Sequence, residues 1–434
     1  MAENIVYLHG RPREVAQVAR IGFFDHRQAE HLWSANKLHP RRFIVEASNF
    51  DRQTGLLRTL RDAGAEVVLD TNAAELSVPG RFSGAVKSAP WAVENRMLEA
   101  DDFVAGTNRS VIEPIARFAV AKGVQAVMAP THFLDDRNQD WLPIDLRASE
   151  ALRLALDREG GADIEIDYPL IVTMSQLRDA SFRASILEGL TDLPKGYIWL
   201  RASGFGADAT GTGMSRYIEA VRSLHELGRP IIADQVGGIA GLAICAFGAV
   251  SGFSHGIEGK QRFNAGDWLK PPKRGGGGRA KRIFLPGLDR SLEVGEAKAW
   301  FDEARTARQI FGCPDTSCCG DIEKMLGNPE AHFMVQRSRS VNTLSSIPES
   351  VRTDRFLEEQ LEQRMKEAQR ATRLKKTSEP IRKKIENAAK RLERTNDALR
   401  GLHKREGQRE FAMEATLRPP SGKVTQSNLS GRPT

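Results

Sequence analysis

From about residue 40 to residue 260 the chain repeats one pattern, a short β-branched run followed by a longer amphipathic stretch. Few folds accept that pattern. The strand candidates are Phe43–Ser48, Glu66–Thr71, Gln125–His132, Tyr168–Ser175, Tyr197–Ser203, Pro230–Gln235 and Ala249–His255. Between them lie helical periods such as Thr54–Ala63, Val111–Lys122, Leu146–Arg158, Phe182–Leu190 and Tyr217–Leu227. Strand, helix, strand repeated this often implies parallel pairing through right-handed crossovers, and buried parallel strands are apolar on both faces. Polar residues gather where these runs end: Asp70-Thr71-Asn72, Thr131-His132, Ser175-Gln176, Arg201, Asp234-Gln235 and Ser254-His255. An open doubly wound sheet places its ligand only at the switch point, whereas a barrel uses the whole C-terminal rim. The expectation is therefore an α/β chain with a TIM-like (β/α)8 barrel. Seven strands are clear, and Ile5–Leu8 is the candidate for the eighth or for an N-terminal cap, with the following REVAQVARIG reading as helix.

The organisation expected along the chain is a barrel over 1–262, a basic Gly/Pro-rich loop over 263–290 and a small Cys/His zinc-binding subdomain over 291–350. A basic α-helical hairpin over 351–410 and a disordered tail over 411–434 complete it. The hairpin carries Ile385, Leu392 and Leu399 at sevens, flanked by Ile381, Ala388 and Leu402. So thin a coiled-coil stripe needs the other helix, the barrel or a second chain to bury it. Val351–Glu410 holds 18 Lys and Arg against 11 Asp and Glu, so the whole net charge of +7 resides there. That surplus fits an acidic partner such as nucleic acid, or equally a solubilising face. No run of about 18 apolar residues occurs, and the N-terminus lacks a secretory pattern, so the expectation is a cytoplasmic protein without a membrane span.

Three of the four cysteines fall within seven positions, Cys313, Cys318 and Cys319, and His332 follows on a helical stretch. Three thiolates and an imidazole are the donors a closed structural Zn2+ site uses; three incidental thiols are the bland alternative. At the strand ends, Asp70, Asp234 and His255 are the candidate catalytic residues, as general base, nucleophile or acid. Thr71, Asn72, His132, Arg201 and Gln235 share the position argument and are candidate substrate contacts. Gly237, Gly238 and Gly256 either cradle an anion with backbone N–H groups or merely permit close packing.

The order of these segments resembles the tRNA-guanine transglycosylase superfamily, which includes a DNA-modifying branch. The resemblance covers roughly residues 60 to 340 and rests on VVLDTNAAELS, QAVMAPTHFLDD, SFRASILEGLTDLPKGYIWLRASGFG, PIIADQVGGIAGLAICAFGAVSGFSHG and the trailing Cys/His cluster. It implies a zinc-containing barrel that exchanges a purine or 7-deazapurine through a covalent glycosyl-aspartate. Asp70 matches the first catalytic aspartate; the nucleophilic aspartate falls on Ser254, and the base-recognition aspartate falls near Thr131 and His132. The resulting expectation is a transglycosylase-like transferase acting on tRNA or DNA, with Lys273–Arg282 and the C-terminal helices on phosphates. Two other readings stay open: a degenerate barrel acting as a nucleic-acid-binding or complex subunit, homo-oligomeric or mixed, and a barrel for a small phosphorylated ligand.

Overall fold

The computed structural model describes residues 12–23, 25–79, 85–135, 140–194, 196–257, 259–270, 280–407 and 410–419. Four parallel strands lead: β1 (Ala16–Ile21), β2 (Arg42–Glu46), β3 (Glu66–Asp70) and β4 (Ala126–Met128). A two-residue strand, β5 (Phe133–Leu134), pairs only with β6 (Glu165–Thr173). Then come β7 (Ile198–Ser203), β8 (Ile231–Ala233) and β9 (Gly252–Gly256). β4 pairs with β6 and β9 pairs with β1, placing Val18 opposite Ser254, so eight parallel strands close into a ring. Helices between the strands pack around it, as expected for a TIM-like barrel.

The seven strands expected from the sequence are present with small shifts at their ends. The first strand differs. Ile5–Leu8 lies outside the described residues, and β1 forms inside the stretch that read as helix. All six of its residues are buried between β2 and β9, and this two-sided pairing outweighs a weak helical period.

Successive strand residues point to opposite sides of the ring, so every second residue faces inward. The inward residues form three storeys. Ala16, Val18, Ile44, Val68, Met128, Trp199 and Ile232 fill the middle as one apolar cluster. Above it, at the C-terminal rim, stand Arg20, Asp70, Arg201, Asp234 and Ser254, joined by hydrogen bonds. Below it stand Arg42, Glu66 and Asp167. The strands are thus apolar outward but charged inward at both ends, which departs from the expectation of two apolar faces.

Residues 410–419 cross the lower opening. Ala412 N–H donates to the Gly248 carbonyl at 2.8 Å, and Arg42 Nη2 donates to the Ala415 carbonyl at 2.7 Å. Ala415 joins the interior cluster, and Arg418 Nη1 reaches Glu66 Oε1 and Asp167 Oδ2, both at 3.0 Å, with its guanidinium 3.9 Å from the Tyr197 ring centre. This part of the expected disordered tail is ordered because it supplies the positive charge that two buried carboxylates require. Residues 420–434 lie outside the description.

The loop expected over 263–290 contains an antiparallel hairpin strand, β10 (Arg282–Leu285), paired with β11 (Arg290–Glu293). Of Lys273–Arg282, residues 273–279 lie outside the described residues. The C-terminal helices run over Glu349–Arg355, then through a π-turn at Phe356–Leu361 into Glu362–Thr372, and finally over Glu379–Arg405 with Pro380 in its first turn. Ile381, Ile385, Leu392, Leu399 and Leu402 are all buried. They are covered by the protein's own body: Glu379–Arg405 packs on Glu362–Thr372 and on the barrel helix Gly211–Arg222. A Cβ on Gly211 would sit 2.7 Å from the Arg394 carbonyl oxygen, so only glycine admits that crossing. The heptad stripe is therefore an internal seam rather than a free-standing coiled coil. Among the described residues no helix is long and apolar enough to cross a membrane.

Candidate active site and candidate metal centre

The upper storey of the barrel is one ion network. Arg20 at the end of β1 donates from Nη1 to Asp70 Oδ2 and from Nη2 to Asp234 Oδ2, both at 2.7 Å. Arg201 of β7 donates to Asp234 Oδ2 from Nε at 2.8 Å and from Nη2 at 2.6 Å, and Nη2 also lies 3.2 Å from Asp70 Oδ2. Ser254 donates to Asp234 Oδ1, the Asn72 amide donates to Asp70 Oδ1 at 3.0 Å, and Glu46 meets Lys260 and, at 3.6 Å, Arg20. Three acids face three bases, so charges that could not be buried singly are buried together.

The network fixes protonation. Burial pushes the Asp70 and Asp234 carboxyls up, but Arg20 and Arg201 overcome it and hold both below the usual carboxylate range. Burial opposes the charge on Arg20; Asp234 and Asp70 reverse that and raise its pKa. Both aspartates are therefore anions at neutral pH and neither can donate a proton. They differ in access. Asp234 is 1 % exposed and lies beneath the floor, whereas Asp70 opens into a cavity of about 340 Å³ at the barrel mouth.

Of the residues expected at a site, Asp70, Thr71, Asn72, Arg201 and Gln235 line this cavity together. Asn72 and Gln235 adopt left-handed backbone (φ 56° and 59°), turning the chain sharply at the rim after β3 and β8. His132 stands aside. Its ring stacks on Trp141 at 3.7 Å, its Nδ1 meets Asp145 Oδ1 at 2.5 Å, and it lines a more apolar annex of about 570 Å³ that shares Ala74 and Trp268 with the mouth.

His255 is not at the mouth. Ser254 points inward, so its neighbour points outward, where His255 packs edge-on to Phe333 at 5.4 Å and bonds the Gly256 carbonyl through Nδ1. Burial, then the nearby Arg337, push its pKa down to about 4, so it is a neutral core residue. The glycines also serve packing. A Cβ on Gly237 would stand 2.4 Å from the Gln261 side chain, and one on Gly256 would stand 3.0 Å from the Gly259 carbonyl oxygen. Gly238 opens the helix Gly238–Ala246 with φ +63°, but the Asp289 carboxylate already takes the Ile239 N–H at 3.1 Å. The anion position at that helix end is filled by the protein itself.

Arg20, Glu46 and Lys260 are mouth residues that sequence reasoning missed. Arg20 went unseen because β1 read as helix. Its signal is the alternation Ala16, Val18, Arg20 inward against Gln17, Ala19, Ile21 outward, visible once those residues are read as a strand.

The second constellation lies beyond the barrel. Cys313, Cys318, Cys319 and His332 bring their ligand atoms within 4.8 Å of one another, all buried. Cys318 and Cys319 Sγ are 3.5 Å apart, and His332 Nδ1 is 3.6 Å from the first and 3.3 Å from the second. A tetrahedral ion with metal–sulfur bonds near 2.3 Å and metal–nitrogen bonds near 2.0 Å requires S···S edges of about 3.8 Å and S···N edges of about 3.5 Å. The cluster fits. His332 Nε2 lies 3.1 Å from the Phe284 carbonyl. A carbonyl only accepts, so Nε2 carries the proton and Nδ1 offers its lone pair. Adjacent cysteines converge here because the turn Cys313–Cys319 folds back on itself, with the amides of Cys318 and Cys319 both bonding the Asp315 carbonyl. Lys37, after the first barrel helix, donates to the Cys318 carbonyl at 2.8 Å, tying the cluster to the barrel.

Compared with known proteins, the chain matches no family model and no curated protein. The fold and its sites are a closed parallel barrel with a charged mouth and a four-ligand cluster able to hold a metal ion.

Proposed function

We propose that the protein is a nucleic-acid base-modifying enzyme that works at a glycosidic bond, with Asp70 as the reacting carboxylate and Zn2+ in the Cys313, Cys318, Cys319, His332 cluster. The observation that carries this is Asp70 itself, an ionised carboxylate opening into a small polar cavity at the C-terminal rim. About 340 Å³ admits a base with part of its sugar and excludes a duplex, so the base must leave its stack to enter. The sequence resemblance to transglycosylases supports exchange of a purine or 7-deazapurine as the reaction, but it aligns Asp70 with the family's first catalytic aspartate, so Asp70 as the attacking carboxylate rests on the geometry of the mouth.

The chemistry follows from the protonation state. An anion with Arg20 and Arg201 beside it is a poor base and no acid, but it suits a sugar carbon that becomes positive in the transition state. Asp70 attacks C1′, the C1′–N bond breaks, and its electron pair leaves with the base, which takes a proton from solvent. An incoming base then attacks C1′ through nitrogen, expels the Asp70 carboxylate and loses its proton to solvent. The arginines that weaken Asp70 as a nucleophile make it a better leaving group in the second half. Thr71, Asn72, Arg201 and Gln235 are placed to contact the base or sugar. Zinc bound by four protein ligands has no open position, so it supplies rigidity rather than reaction.

The experiment is incorporation of radiolabelled guanine or 7-deazaguanine into tRNA and into DNA. Asp70→Asn should cut it by about a thousandfold or more while leaving polynucleotide binding intact. Activity surviving in Asp70→Asn refutes the assignment, as does a wild-type protein that binds neither RNA nor DNA at about 50 mM salt. A second reading, a catalytically silent subunit, is favoured by Ser254, which stands where the nucleophile of the resembling family falls and is tied to Asp234. Under it the wild-type protein binds polynucleotide and exchanges no base.

A further inference from the structure

The mouth cavity continues past its rim. Lys260 lines both that cavity and an open groove of about 590 Å³ between residues 259–262, the β10–β11 hairpin and the helix Glu379–Arg405. Among the described residues, Lys260, Arg262, Arg282, Arg290 and Arg391 face this groove, against two carboxylates. Both acids are committed. Asp289 holds Arg391 at 2.9 Å and caps the Gly238–Ala246 helix, and Asp208 is paired with Arg262. Lys260 is held by Glu46 at the boundary with the mouth.

Arg282 and Arg290 are left over. Among the described residues Arg282 forms no ion pair, although Glu296 lies near enough to feel its charge, and it is exposed, while Arg290 Nη1 reaches only the Lys384 carbonyl at 3.3 Å. The two stand near opposite ends of one hairpin, Arg282 opposite Glu293 and Arg290 opposite Leu285. Burial, then Arg391 and Arg282, push the Arg290 pKa down, and the opposing pull of Glu296 does not cancel them. Such crowding stores repulsion that a bound anion would relieve. Lys260, which lines both spaces, stands where an extended anion would pass from the groove to the mouth.

We infer that this groove carries the phosphodiester backbone flanking the base in the mouth, with Arg282 and Arg290 each contacting a phosphate. The inference rests on the base-handling reading above and names the track by which the strand enters.

The test uses the full chain and a fluorescent single-stranded guanine-containing oligonucleotide of about 12 nucleotides, by anisotropy across a salt series. Each lost phosphate contact shallows the log–log salt slope by about 0.7 for a single strand. Arg282→Ala/Arg290→Ala should therefore flatten it by about 1.4 and weaken binding about 25-fold near 0.1 M salt. Lys298→Ala/Lys366→Ala, which removes equal charge elsewhere, should do neither. Equal losses from both double variants, or an unchanged slope in the first, overturn the inference. So does full competition by guanosine 5′-monophosphate with an unchanged slope, which would mark a site for a small phosphorylated ligand. If the slope depends on Arg282 and Arg290 but no base is exchanged, the groove stands and the catalytic reading falls. If exchange needs Asp70 while the arginine variant binds and exchanges as wild type, the groove falls alone.

Discussion

Asp234 is a strand-end acid that sequence reasoning takes as catalytic and that the structure makes a counter-ion, so Asp234→Ala separates the two roles. Its Oδ2 accepts from Arg20 once and from Arg201 twice, at 2.6 to 2.8 Å, and its Oδ1 accepts from Ser254. Removing it leaves two buried guanidiniums sharing Asp70 and, more distantly, Glu46. Breaking a buried pair from one side costs about 3–5 kcal/mol, a large part of the about 5–15 kcal/mol that holds a domain folded. Urea unfolding followed by tryptophan fluorescence reads the loss. Even with a steep slope of about 3 kcal/mol per molar, the midpoint should fall by about 1 M or more. pH adds a second signature. Asp234 has a lower pKa folded than unfolded, so its contribution is complete above the unfolded value of about 4 and is lost as pH falls below it. Asp234→Asn should therefore be less stable than wild type near neutrality, with a gap that narrows on acidification below about pH 4. A midpoint within about 0.3 M of wild type for Asp234→Ala would refute the account of the mouth as a mutually neutralised network.

Purified protein should contain about one zinc per chain by elemental analysis, and Cys319→Ser or His332→Ala should lose it; metal retained in both variants would dismiss the site. His255 has a folded pKa of about 4 against an unfolded value near 6.5. Its contribution is present above about 6.5 and declines as pH falls toward 4, so the stability difference between wild type and His255→Leu should vary across that window and be flat above it. A difference independent of pH would mean His255 titrates normally. Arg418→Ala strands Asp167 and leaves Glu66 with Arg42 alone beneath the barrel, and should cost about 3 kcal/mol, read as a lower thermal midpoint; no change would show the tail segment to be dispensable.

The ring of parallel strands was legible because each of seven runs is apolar enough to be a buried strand and helical periods lie between them. β1 was not, since Ala-Gln-Val-Ala-Arg-Ile carries few β-branched residues and its identity as a strand comes from the partners on either side. The metal cluster was legible from ligand type, although Cys318-Cys319 breaks the usual spacing; only the turn geometry shows that both sulfurs reach one point. The mouth was half legible. Strand-end position picked Asp70, Thr71, Asn72, Arg201 and Gln235, yet it also picked His255, because position along a strand says nothing about which side of the ring a residue faces until its neighbours are fixed. Asp234 was found but its role was not, since only the fold brings Arg201, 33 residues away, and Arg20, 214 residues away, onto the same carboxylate oxygen. The tail was misread because Arg418 looks like one more basic residue until Glu66 and Asp167 are seen to need it.

That dependence has a consequence for biosynthesis. Asp167 lies 251 positions before Arg418, so a ribosome delivers the barrel's acids long before it delivers their guanidinium. Until then Arg42 alone faces Glu66 and Asp167 at the base of the ring, which leaves the two buried acids one positive charge short. A polypeptide released short of that arginine lacks the charge that closes its underside.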